Sequence, residues 1–311
     1  MPEAADRILV TGANGHLGRL LLCRLAGATP RRAVHALVRS ERAAESLRNL
    51  PADARPEIDV IDYRDAAALA RAARGCSQAV HLVGILKQSR RSRYEDAHEG
   101  ASAALADAAA RAGLRRIVGL SILGAHPDAG NACLASRGRA DAILLRGKTP
   151  AVIVRLPMVL GAGDAAAQAL LRQASAGRTA LVRGGAARQQ PIAARDVVEA
   201  ILAALTPRDL DGRTLDLAGP ESLTQRALVE RAAALLGKRV AFRSIPLFAA
   251  RFAAAAAELL LADPPITRAM LGVLEQDDDI DPGEACRLLG IELTPLDETL
   301  RLCLAPGAER S

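Results

Sequence analysis

A doubly wound α/β fold, with a parallel sheet covered by helices on both faces and a smaller, mainly helical C-terminal lobe, is what this sequence predicts. Three observations carry that expectation. A glycine loop joins an apolar strand to a helical segment at the start, short apolar runs alternate with helical patterns through the first half, and helices dominate after Gly161. The candidate strands are Arg7 to Val10, Ala33 to Val38, Glu57 to Ile61, Gln78 to Val83, Arg115 to Ser121 and Ala151 to Leu156. The mostly apolar character of these runs suits strands buried on both faces. Helical patterns fall between them at His16 to Ala26, Arg42 to Asn49, Ala66 to Arg74, Tyr94 to Ala112 and Leu134 to Arg146. Right-handed crossovers turn such an alternation into a doubly wound sheet. The second half reads as helices at Ala165 to Ala176, Ala194 to Leu205, Thr224 to Leu236, Ile245 to Leu261 and Ile266 to Leu274. Short strands fall near Ala180 to Val182, Thr214 to Leu217 and Arg239 to Arg243. We divide the chain at residues 1–163 and 164–311, with segments around 188–218 expected to return to the first domain.

Composition excludes several classes. Half of the 311 residues are apolar, enough for a substantial core. The start, Met1 to Asp6, lacks the basic-then-apolar pattern of a secretory leader. The apolar run from Ile245 to Ala262 is interrupted by Arg251 and Glu258, which argues against a membrane span. That run reads as a buried helix of the second lobe, with a membrane-surface or partner-docking role as the alternative. Cys23, Cys76, Cys133, Cys286 and Cys303 form no Cys-x-x-Cys pair, which fits a cytoplasmic protein without a disulfide framework. The net charge of +6 comes almost entirely from arginine, the only lysines being Lys87, Lys148 and Lys238. The densest basic cluster, Arg90-Arg91-Ser92-Arg93, has only Tyr94 beside it for stacking, so no nucleic acid is expected. It reads as a solvated loop, or as one that meets an anionic membrane or acidic partner. No metal is expected: the five histidines show no ligand spacing, and Asp277-Asp278-Asp279 with Asp281 lacks a calcium loop's central glycine and distal glutamate.

The loop Thr11-Gly12-Ala13-Asn14-Gly15-His16-Leu17-Gly18 follows strand Ile8-Leu9-Val10 and opens a helix. Gly12 permits the tight turn, Gly15 lets backbone approach a pyrophosphate, and Gly18 lets helix and strand pack closely. The helix start then aims free N–H groups and its positive dipole end at phosphates. Strand, loop and helix stand in the order of a Rossmann dinucleotide site. About 20 residues on, an acidic residue would hold a ribose hydroxyl and an arginine a 2′-phosphate. Arg39 stands there, so NADP(H) is the preferred cofactor and NAD(H) the alternative. At the third strand end Asp62 is placed to accept from an adenine amino group, beside Tyr63, and Asp65 reads as the cap of the next helix. At the fourth, Val83 and Gly84 let the backbone pass under the cofactor.

With these motifs the chain resembles the short-chain dehydrogenase/reductase superfamily, in its extended and atypical branches. The likeness extends to Ser121-Ile122-Leu123-Gly124-Ala125-His126-Pro127, to Ile153 through Gly161, to Gln190 through Val198 and to Leu217 through Thr224. It is most similar to the group of the nucleotide-binding accessory subunit of respiratory complex I and its NmrA-like and epimerase-like bacterial relatives. The resemblance implies that Leu156, Pro157 and Met158 pack on the nicotinamide side. It also implies a serine, Ser121, beside a Tyr-x-x-x-Lys pair, in which the lysine lowers the tyrosine pKa and the phenol relays the proton that accompanies hydride transfer.

That pair is missing. Cys133-Leu134-Ala135-Ser136-Arg137 stands where the family reads Tyr-x-x-Ser-Lys, and the residues four beyond Tyr63 and Tyr94 are Ala67 and His98. Arg137 can bind ribose hydroxyls but stays protonated. Cys133 reads as an apolar filler, the alternative being a thiolate made by Arg137. The expected function is therefore an NAD(P)(H)-binding protein acting in nucleotide-dependent binding, assembly or redox sensing, with a protein partner or membrane surface at the second lobe. It is expected in the cytoplasm, with peripheral contact at the inner membrane as the alternative. The other reading is an NADPH-dependent oxidoreductase or isomerase on an apolar or quinone-like substrate, with Ser121, Cys133 or a water moving the proton.

Overall fold

The alternation read from the first half folds as β1 (Arg7–Thr11), α1 (His16–Ala26), β2 (Val34–Val38), α2 (Glu41–Arg48), β3 (Glu57–Val60), α3 (Ala66–Ala72), β4 (Cys76–His81), α4 (Ala101–Ala112), β5 (Arg116–Ile122), α5 (Ala132–Leu145) and β6 (Ala151–Leu156). There follow β7 (Val159–Leu160), α6 (Ala165–Ser175), β8 (Arg178–Val182), β9 (Arg188–Gln189), β10 (Ile192–Ala193), α7 (Ala194–Leu205) and β11 (Thr214–Asp216). The chain then runs through β12 (Leu223–Thr224), α8 (Gln225–Leu235), β13 (Ala241–Ile245), α9 (Leu247–Leu260), α10 (Arg268–Leu274), α11 (Gly283–Leu289) and α12 (Leu296–Leu304). This is a computed structural model, and it describes residues 7–29, 31–89, 92–206 and 209–304. Met1 to Asp6 and the Arg90-Arg91 part of the basic cluster lie outside the described residues.

Seven strands form one sheet in the order β11-β6-β5-β4-β1-β2-β3. Strand β1 lies parallel to β2 and β4, β2 to β3, and β4 to β5. The order reverses between β1 and β4, which opens a crevice at the carboxyl ends of those two strands. Ile8, Leu9 and Val10 are fully buried in β1. On one face Leu9, Leu69, Leu105 and Ile117 share a core with Ala104, Ala108 and Ala109, small side chains that suit the close packing of α3 on α4. Ser40, Asp65 and Asn131 cap α2, α3 and α5 through their side-chain oxygens, which satisfies first-turn N–H groups at about 1 kcal/mol each.

The chain divides into two compact units, Met1–Ile85 with Ser92–Arg155 and Val198–Leu215, and Leu86–Arg91 with Leu156–Val197 and Asp216–Ser311. The second has its own core, in which Leu160, Leu170, Leu228, Val229, Leu296 and Leu300 meet. Polar side chains pin its loops. Gln190 donates to the carbonyls of Gly219 and Ile280, both at 2.9 Å, and Asp196 accepts from Thr294 N at 2.7 Å and from its hydroxyl at 2.6 Å. A Cβ on Gly219 would lie 1.9 Å from Pro191 O, so this crossing requires glycine. Gln190, Asp196 and Gly219 thus hold the loops of the second unit together.

Three differences from the sequence reading have physical causes. The segment expected to be α-helical from Tyr94 begins with a π-turn over Glu95–Gly100 before α4. The pairs β7–β10 and β9–β12 rest on two-residue strands, too short to show a period of two. Helix α9, expected to be buried, buries only Ala254.

Candidate functional site

The glycine loop leaves β1 at the point where the strand order reverses. Gly12 has φ +73°, and a Cβ there would lie 3.1 Å from the Leu82 carbonyl carbon, just beyond β4. A Cβ on Gly18 would lie 2.3 Å from Ala13 O. These two glycines are demanded by the fold itself. Gly15 is different: its backbone is extended, at φ −65° and ψ 166°, and it is exposed. It caps α1, whose first helical bond runs from Arg19 N to Gly15 O at 3.0 Å. The N–H groups of Leu17 and Gly18 therefore have no intrahelical acceptor and are available to an anion. Asn14 is exposed and His16 half-buried at the same helix start.

Two of the residues assigned to the cofactor hold partners within the chain. Thr11 is buried, its hydroxyl 2.7 Å from His81 Nδ1 and its carbonyl accepting from Leu82 N at 3.1 Å. Tyr63 is buried too: its phenol accepts from Gly12 N at 2.9 Å and donates to Leu37 O at 2.7 Å, tying the loop to β2. Burial pushes its pKa up to about 12. Behind the loop His81 is held down to about 3 by burial and by the Arg137 charge, so it is a neutral link between Thr11 and Ser102, whose hydroxyl lies 3.4 Å from Nε2.

Arg39 is exposed directly beyond β2, and its charge acts on both Asp62 and Tyr63. Asp62 has a partner within the chain. Its carboxylate binds Arg64 through Oδ1 at 3.2 Å and Oδ2 at 2.8 Å, and these bonds hold it below the usual carboxylate range. The side chain is 54% exposed, and its oxygens keep acceptor capacity beside Arg64. Arg64 also reaches Asp96 at 3.1 Å, and it is a second guanidinium in the Arg39 neighbourhood that sequence reasoning missed. Its place two residues after Asp62 was the available signal.

Ser121, Cys133 and Arg137 come together as the family spacing requires, but each turns inward. Ser121 donates to Asp141 Oδ2 at 2.8 Å, and Arg155 holds the same oxygen at 3.2 Å. Burial raises the Asp141 pKa against these partners. Cys133 is fully buried, with Sγ 3.7 Å from Ile85 O. Burial raises its pKa and outweighs the Arg137 charge, which favours the thiol over the thiolate. Arg137 is 6% exposed and donates to Val83 O at 2.6 Å and to Leu120 O, so two of its nitrogens serve backbone rather than ribose. Gly84 is explained by the same side chain, since a Cβ there would lie 2.6 Å from Arg137 Nη1. Sequence reasoning also missed Tyr94, which is buried, stacks on His98 at 5.5 Å and hydrogen-bonds the Cys133 side chain. Leu156, Pro157 and Met158 belong to the second unit, where Met158 O accepts from Ile192 N at 3.0 Å and its side chain packs on that unit's core.

Comparison with known proteins identifies the fold and the family. The NAD(P)H-binding family profile matches residues 12–207. The chain belongs to this NAD(P)H-binding family, of the atypical short-chain dehydrogenase/reductase type. It is 32% identical over 277 residues, 86% of each chain, to the (4-alkanoyl-5-oxo-2,5-dihydrofuran-3-yl)methyl phosphate reductase of Streptomyces griseus. It is 32% identical over 167 residues, 52% of this chain and 49% of the relative, to the ceramide reductase of Caulobacter vibrioides. Over 231 residues it is 28% identical to the mitochondrial NADH dehydrogenase (ubiquinone) 1 alpha subcomplex subunit 9 of Arabidopsis thaliana, matching 56% of that protein. The chain thus spans about half the length of two of these three relatives. The crystal structure of gox2253 shares the fold, with a TM-score of 0.75 at 22% identity over 96% of this chain and 97% of that one.

Proposed function

We propose that this protein binds NADP(H) in preference to NAD(H) and works as a nucleotide-dependent binding, assembly or redox-sensing protein. In this reading its family's usual hydride chemistry is absent. The observation that carries this reading is that Ser121, Cys133 and Arg137 spend polar groups on Asp141, Ile85 O, Val83 O and Leu120 O. A serine whose proton belongs to a carboxylate, a buried thiol and a guanidinium fixed on carbonyls do not supply a proton to a reacting carbonyl. The dinucleotide would lie with its pyrophosphate on the N–H groups of Leu17 and Gly18 beside Asn14, Gly15 and His16. Its 2′-phosphate would meet Arg39, and its nicotinamide end would reach Gly84. When bound, the cofactor supplies a redox-active ring, while the chain supplies orientation and charge. The second unit would carry the partner.

A second reading, an NADPH-dependent reductase or isomerase, has two observations behind it. Two of the relatives are named reductases, and the Tyr94 phenol comes to Cys133, where the family's phenol would stand.

The preference for NADPH is tested by Arg39→Ala. Loss of one charge-assisted contact costs ~1.5–3 kcal/mol, so calorimetric titration should show NADPH weakened by roughly one to two decades with NADH nearly unchanged. An equal loss for both nucleotides would remove Arg39 from the 2′-phosphate site.

A further inference from the structure

The chain has three phenylalanines and no tryptophan, and two of those three stand in the open on α9. Phe248 is 77% exposed, Phe252 78%, Leu259 78% and Leu260 77%, and Leu261 just beyond the helix is 47% exposed. At 100° per residue Phe248, Phe252 and Leu259 fall within one narrow stripe. That stripe is opposite Ala250 and Ala257 and well away from Ala254, the helix's one buried residue. Exposure this high describes side chains standing off a ridge rather than lining a groove. Isolated apolar side chains on a surface are ordinary, but three large ones on a single stripe mark a contact site.

Charge selects the occupant. Lys238, Arg239, Arg243 and Arg251 are exposed on β13, on α9 and just before them, and none of the four has an ion-pair partner among the described residues. The two carboxylates of the same region are already neutralised, Glu258 by Arg268 at 2.8 Å and Asp263 by Lys87 at 2.8 Å. Arg251 stands at the edge of the apolar stripe, one turn from Phe248 and adjacent to Phe252. A second copy of the chain on this ridge would set four cations against four. A bilayer bearing anionic headgroups satisfies both features, since acyl chains accept the phenyl and leucyl groups while phosphates meet the guanidinium groups. The 14 residues of α9 extend about 21 Å, and no helix among the described residues is long and apolar enough to cross a membrane. The helix would therefore lie in the interface plane.

We propose that α9 is a membrane-surface anchor, inserting Phe248, Phe252 and Leu259 below the headgroups of an anionic bilayer with Arg251 and Arg243 at phosphate level. The proposal gives the partner of the second unit a chemistry, and it is independent of whether the nucleotide site transfers hydride.

Flotation of the full chain with phosphatidylcholine vesicles, with and without phosphatidylglycerol, tests it. Wild type should float with the anionic vesicles, bind neutral ones at least tenfold less, and dissociate progressively as salt is raised. Phe248→Ser with Phe252→Ser and Leu259→Ser should bind the anionic vesicles at least tenfold more weakly while keeping wild-type NADPH affinity, which shows that the variant is folded. Because the chain has no tryptophan, Phe252→Trp adds a single reporter whose emission should shift to the blue on anionic vesicles. Failure of wild type to bind anionic vesicles at low salt, or undiminished binding by the triple variant, would overturn the proposal. So would a wild-type dimer that the triple variant loses, since the ridge would then be a contact between copies.

Discussion

Gly15→Val should reduce NADPH binding ~100-fold or more, because the branched side chain occupies the space a pyrophosphate needs above α1. Loss of one or two charge-assisted bonds at about 1.5–3 kcal/mol each accounts for that magnitude. The fold should survive. Gly15 already has an extended backbone that valine adopts readily, and its Cβ would meet only Gly12 O at 3.3 Å in an exposed loop. Fluorescence titration checks the affinity and circular dichroism the fold; unchanged affinity in a folded variant would contradict the phosphate assignment. Gly18→Ala is the informative contrast. Its Cβ would collide with the Ala13 backbone at 2.3 Å, so that variant should lose stability together with binding.

Arg137→Met should destabilise the protein by about 2–5 kcal/mol, measured by urea unfolding. Methionine approximates the volume but leaves the carbonyls of Val83 and Leu120 without the donor each now has, at about 1–3 kcal/mol per buried acceptor. A coupling follows from Gly84. In the wild type Gly84→Ala sets a Cβ against a guanidinium pinned by two hydrogen bonds, whereas in an Arg137→Ala background that space is open. The cost of Gly84→Ala should therefore fall sharply in the double variant. A mild effect of Arg137→Met, with NADPH affinity lost instead, would show that Arg137 serves ribose after all.

The sequence made much of this molecule legible, and the limits are physical. The bounds of α1 and α7 follow directly from apolar periodicity, and the caps Ser40 and Asp65 stand next to the helices they start. The glycine loop was readable because strand, loop and helix are contiguous. What was hidden joins distant residues: Thr11 to His81 across 70 positions, Gly12 to Tyr63 across 51 and Arg137 to Val83 across 54. Residue type placed these groups at the right strand ends, yet only the fold reveals which partners they hold within the chain. Asp62 shows the same limit at short range, since Arg64 competes for the carboxylate that the sequence offered to adenine. Helix α9 was misread for a different reason. An alanine-rich helix that is apolar nearly all round carries no polar face to mark its solvent side, so its pattern suits burial and surface docking equally.

The central claim is that the nucleotide is held while the positions for proton transfer are closed. NADPH oxidation followed by nicotinamide absorbance, at saturating cofactor and across a panel of aldehydes, ketones and quinones, tests it most directly. The account predicts a wild-type rate equal to the solvent background and identical in Cys133→Ala, with NADPH affinity the same in both. A wild-type turnover well above background that disappears in Cys133→Ala would contradict it and make Cys133 the catalytic group.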